Sequence, residues 1–177
     1  MDFPWGRDKD PRVPLGHASL LASLIDKEIK VHSLVHSVSE GKLNIGSICL
    51  DIMQIQKLNN PLIVDLAIGA YVWAEEVIIK LIKLLRKSGF NGRIILGGPQ
   101  ISYTERDLEK KYPEVDIFIR GYGELNLPSV ITSNSKVKSP GVHYCGEIDD
   151  YNQSIVDLDK LPSPWLNNII NTKQQEF

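Results

Sequence analysis

The sequence predicts an α/β domain of the doubly wound kind, with a parallel sheet of about five strands, helices on both faces and a small C-terminal hairpin. Three observations predict it. Between residues 28 and 131, short β-branched runs alternate with longer segments of helical periodicity, the pattern of parallel strands joined by right-handed crossovers. One run, residues 62–72 (LIVDLAIGAYV), is almost continuously apolar, as a strand covered on both faces must be. Strand-like runs also end in glycine-rich turns, at Gly97-Gly98-Pro99 and at Gly121-Tyr122-Gly123.

The elements follow in order. Residues 15–27 (LGHASLLASLIDK) put Leu20, Leu21, Leu24 and Ile25 on one helical face, with Pro14 acceptable at the start. Residues 28–38 are rich in β-branched side chains and alternate apolar with polar, which favours a strand. A helical pattern fills residues 43–58 and stops at Asn59-Asn60-Pro61. After the apolar strand, residues 74–88 read as an amphipathic helix with acids early, bases late and Gly89 as its stop. Residues 93–96 form a strand, 104–111 a short helix, 115–120 a strand, and Gly123-Glu124 opens a last helix. Turn residues on both sides of Val142-His143-Tyr144-Cys145 suggest the hairpin, and the proline-rich stretch beyond reads as an extended exit linker. The domain organisation is thus an α/β domain over 1–133, a hairpin over 134–150 and a tail over 151–177.

Composition narrows the function classes. The 177 residues carry 20 basic and 22 acidic side chains with no block of either sign, so nothing points to nucleic acid or an anionic membrane. No apolar run reaches membrane-spanning or signal-peptide length, which places the chain in the cytoplasm. Two distant cysteines, Cys49 and Cys145, make neither a disulfide framework nor a four-ligand metal site.

In a doubly wound sheet, ligands bind beyond the carboxyl ends of the strands, so the loops there are the candidate site. Paired glycines at Gly97-Gly98 let a ligand approach the backbone and Pro99 fixes the exit; a tight turn with positive φ would explain the same pair. Tyr71 and Trp73, two apart, point to one side of extended chain, where they could face a flat ligand or plug the core. Glu124 at a helix start is either a ligand contact or an acid satisfying the helix dipole.

In their order these pieces resemble one family, the cobalamin-binding domain that precedes the barrel of cobalamin-dependent radical-SAM enzymes. The resembling motifs are the Pro-Leu-Gly turn at residue 14, Tyr-x-Trp at 71, Gly-Gly-Pro at 97, Arg-Gly-x-Gly-Glu at 120, Pro-Gly-Val at 140 and the Leu-Pro-Ser-Pro linker at 161. The resemblance implies a Rossmann-like, flavodoxin-like sheet and a corrinoid held by Pro14, Leu15, Gly16, Gly69, Ala70, Tyr71, Val72, Trp73, Gly97, Gly98, Pro99, Gln100, Gly121, Tyr122, Gly123 and Glu124. The chain lacks the Cys-x-x-x-Cys-x-x-Cys loop of the radical-SAM cluster. The expectation is therefore a non-catalytic module or accessory subunit without an iron–sulfur cluster, presenting cobalamin to a radical-SAM protein or barrel in trans. The alternative is a cofactor-free scaffold of the same fold. Where the family has its first strand, only residues 1–5 are available, which leaves a stub, a substitute strand from Ile29, or an exposed sheet edge that could pair in a homodimer.

Overall fold

Helices and strands alternate along the chain, forming an α/β fold around an open, mostly parallel sheet. The computed structural model describes residues 1–5, 14–39 and 43–170; the end of the expected tail, 171–177, lies outside the described residues. The elements are α1 (Leu15–Asp26), α2 (Ile45–Asn59), β1 (Leu66–Gly69), α3 (Glu75–Lys87), β2 (Ile94–Gly97), α4 (Pro99–Ser102), α5 (Leu108–Lys111), β3 (Ile117–Ile119), α6 (Gly123–Thr132) and β4 (Val142–Tyr144). Strand order is β1-β2-β3-β4, with the first two pairings parallel and the last antiparallel.

Local sequence explains most boundaries. Asn44 caps α2 by accepting from the Ser47 amide at 3.1 Å, and Asn59-Asn60-Pro61 ends it. Helix α3 starts with Glu75 and Glu76, ends with Arg86 and Lys87, and buries Ile78, Leu81, Ile82 and Leu85 along one stripe. The helix expected over 104–111 shortens to α5, because Asp107, at φ +63°, breaks the chain before it, and a further short helix, α4, starts at Pro99 directly after Gly98.

Successive residues of the strands feed two apolar clusters. Ile94, Leu96 and Phe118 pack with Ile52 of α2 and Ile78, Leu81 and Leu85 of α3. Ile95, Ile117 and Ile119 pack with Leu24 of α1 and with Leu127 and Val130 of α6. Alternation of side chains along a strand makes this division unavoidable.

Three regions differ from expectation in extent. The run expected as a strand over 62–72 narrows to β1, because β2 supplies partners only from Ile94 to Gly97, and Leu62 and Ile63 stay exposed. The strand expected over 28–38 is extended chain with one parallel bridge, Val35 to Asp2. Residues 1–3 are its neighbour: the Asp2 amide donates to Leu34 O at 3.0 Å and the His36 amide to Asp2 O at 3.1 Å. On their other side the Met1 ammonium donates to Ala67 O at 2.7 Å and the Gly69 amide to Met1 O at 3.0 Å. The Val-His-Tyr run is β4, lying antiparallel on β3, and the start of the tail folds back so that Ser154 bridges Gly121 in parallel.

Candidate functional site

The carboxyl ends of β1, β2 and β3, together with residues 1–3, surround the mouth of a cavity of about 850 Å3 that runs along the sheet beneath α1 and α6. Its walls are mostly aliphatic, including Leu20, Leu24, Leu127 and Ile131. Each expected loop reaches this wall: Gly16 from the first, Gly69 and Tyr71 from the second, Gly97, Gly98 and Pro99 from the third, and Gly121, Tyr122, Gly123 and Glu124 from the fourth. Pro14, Leu15, Ala70, Val72, Trp73 and Gln100 do not line it. Ala70 is buried in the turn, donating to Gly97 O at 2.7 Å and accepting from the Gln100 amide at 3.1 Å, while the Gln100 side chain reaches Glu75 at 3.2 Å. Leu15, Val72 and Trp73 are exposed around the rim, as is Tyr122.

Tyr71 and Trp73 stack on each other, ring centres 4.8 Å apart and planes 9° from parallel, and the Trp73 indole donates to Phe3 O at 2.9 Å. The pair is thereby fixed against residues 1–3 and presents an aromatic edge beside the mouth.

The glycines divide by what surrounds them. At Gly98, φ is +96° and a Cβ would stand 2.9 Å from Ala70 O; at Gly121, φ is +74° and a Cβ would stand 2.4 Å from Ser154 O. Chain packing alone demands glycine at both. Gly16 differs, since a Cβ there would meet only the Tyr71 hydroxyl at 3.8 Å, an ordinary contact.

Polar groups gather at the same end. Asp2 is buried, its Oδ1 accepts from the Phe3 amide at 3.0 Å, and burial raises its carboxyl above the usual range. Burial, then the charge of Asp2, raises the Tyr71 phenol. His17 shares a 2.8 Å hydrogen bond with Ser33 Oγ, and burial, aided by the amino-terminal charge, pushes its pKa down to about 4, so the ring is neutral at pH 7. The site is thus an aliphatic cavity with polar groups at its mouth, the neutral His17 ring and the Tyr71 phenol among them, suited to hydrogen bonds with a polar ligand and to burial of an apolar one. Among the described residues, no three His, Cys, Asp or Glu side chains gather as metal ligands.

Arg120 holds the third and fourth loops together. Its side chain is buried; it donates to Ile101 O and Thr104 O, each at 2.8 Å, and pairs with Asp149 at 2.6 Å. The next residue, Gly121, donates to Ser102 Oγ at 2.8 Å. Sequence reasoning did not single out Asp2, and it named Arg120 only as part of the Arg-Gly-x-Gly-Glu motif, not among the residues taken to hold the corrinoid. An acid in a short charged amino-terminal stretch carries no local signal, and only the pairing of residues 1–3 beside β1 brings Asp2 to the site.

Compared with known protein-family models and with curated proteins, the chain matches none. No helix among the described residues is long and apolar enough to cross a membrane.

Proposed function

We propose that this chain is a cobalamin-binding module or accessory subunit that presents its corrinoid to a separate radical-SAM partner in the cytoplasm. One observation carries the reading: Gly16, Tyr71, Gly98 and Gly121, from the four loops the resemblance names, line a single cavity at the carboxyl ends of the strands. In this reading residues 34–36 and 1–3 extend the sheet ahead of β1, α1 with α6 and α2 with α3 cover opposite faces, and the crevice falls where strand order reverses, between residues 1–3 and β1. The stacked Tyr71 and Trp73 would border the corrin, and the aliphatic cavity would take its nucleotide tail.

The test is retention of hydroxocobalamin through gel filtration, read by the corrinoid absorbance of the protein peak. The expected result is co-elution in the native chain and a loss of about tenfold or more in affinity for Gly16→Val, whose new side chain enters the mouth without backbone overlap. A colourless native peak overturns the reading.

A second reading, a cofactor-free scaffold, is favoured by Gly98 and Gly121, whose conformations chain packing already requires. It predicts a colourless chain that co-elutes with a partner protein.

A further inference from the structure

The stretch expected to begin an extended exit tail is instead folded onto the candidate site. Residues 149–154 meet the Gly121 turn and its supports at several points. Asp149 pairs with the buried Arg120 guanidinium at 2.6 Å, and the Tyr151 ring centre lies 5.3 Å from the carbon of the same guanidinium. The Gln153 side-chain amide donates to Ser102 O at 3.1 Å. Ser154 is buried; its amide donates to Arg120 O at 3.0 Å, and its carbonyl accepts from the Tyr122 amide at 3.1 Å. Two glycines from different loops are shaped around this one serine. Gly121 lies at φ +74° against Ser154 O, and Gly141, at φ +86°, would place a Cβ 2.6 Å from the Ser154 nitrogen.

The seat is thus specific, but the hold is almost wholly polar. Asp150, Tyr151, Asn152 and Gln153 are exposed, so seating the segment buries little apolar surface. The hydrogen bonds gained are offset by the conformational entropy of ordering the backbone. Tyr151 also sits at φ +57°, a costly conformation for a residue other than glycine, held there by its amide donating to Asp149 Oδ1 at 3.0 Å. Upstream the chain is pinned where the Gly146 amide donates to Glu109 at 3.0 Å, and downstream Ile155 is exposed. Strain, exposure and a few polar contacts are the marks of a segment that opens without global unfolding.

We propose that residues 149–154 are a releasable strap whose seating fixes the Gly121–Glu124 turn at the cavity mouth. Seated, the strap satisfies Arg120 O and the Tyr122 amide on either side of Gly121 and neutralises Arg120, whose remaining hydrogen bonds hold Ile101 O and Thr104 O. Released, it gives up these contacts together, and Gly121, Tyr122, Gly123 and Glu124, which line the mouth, lose the wall that sets their path. The device belongs to the ligand-free chain and does not depend on the corrinoid reading.

The test is amide hydrogen exchange by NMR on the full chain in a series of low urea concentrations. Two of the probes, the Ser154 and Tyr122 amides, bond across the strap; the third, the Gly121 amide, donates to Ser102 Oγ at 2.8 Å and touches the strap through no hydrogen bond of its own. The expected result is one shared opening: equal protection at all three, about tenfold or more below that of the β2 amides, with a much weaker dependence on urea. Gln153→Ala, at an exposed position, should lower protection at all three by one common factor of about threefold or more. The proposal is overturned if the three amides exchange only in step with β2, which would make the segment a permanent part of the core. It is equally overturned if Ser154 is unprotected from the outset, or if Gly121 keeps its protection while Ser154 and Tyr122 lose theirs.

Discussion

Glycine and histidine each show how one residue's surroundings set its role. Gly98 and Gly16 look alike as loop glycines in the sequence, yet the first sits at φ +96° against Ala70 and the second has room for a side chain. Gly98→Ala is expected to lower stability by about 1–3 kcal/mol. Gly16→Ala, inside α1, should leave it unchanged or raise it by up to about 1 kcal/mol; urea unfolding of the two variants separates them. His17 makes a second residue-scale prediction. Its folded pKa of about 4 lies below the free value of 6.5, so the unfolded chain takes the proton first, and the stability it contributes is full above pH 6.5 and lost as pH falls towards 4. The His17 ring should titrate near 4 by NMR, and His17→Gln should lose less stability between pH 7 and 4.5 than the native chain. A midpoint near 6.5 would contradict its half-buried placement.

Among the elements, the loops at the mouth are held by side chains from strands rather than by their own sequence. Arg120, just past β3, grips the carbonyls of Ile101 in α4 and Thr104 beyond it, and the Asp149 carboxylate. Arg120→Met should cost about 3–5 kcal/mol by stranding those acceptors and Asp149, and should speed exchange at the Gly121 amide. The helices were legible because their signals are local: the Asn44 cap, the charge gradient of α3 and the apolar stripe over Ile78, Leu81, Ile82 and Leu85. The strands were legible in place but not in length. A strand exists only where a partner's backbone meets it, so the apolar run at 62–72 could not reveal that β2 pairs with it from Leu66 to Gly69 alone, nor could 28–38 reveal that one bridge would be its share.

For the molecule as a whole, adjacent residues of β2 support different layers, Ile94 the cluster with α2 and α3, and Ile95 the cluster with α1 and α6. Ile94→Ala and Ile95→Ala should each cost about 2–5 kcal/mol, and because both layers share the sheet, tryptophan fluorescence and far-ultraviolet circular dichroism should follow one transition in either variant. Two separated transitions would show that the layers unfold independently. The sequence by itself determined the α/β class, the alternation of elements and the loops that close each strand, because propensity, periodicity and glycine chemistry act over a few residues. Only the tertiary structure decided that residues 1–3 lie beside β1, that Val142–Tyr144 turns antiparallel onto β3, and that Asp2 and His17 reach the cavity mouth. Those include contacts between residues 66 positions apart, fixed by which backbone edges and apolar faces meet, and no local pattern records them.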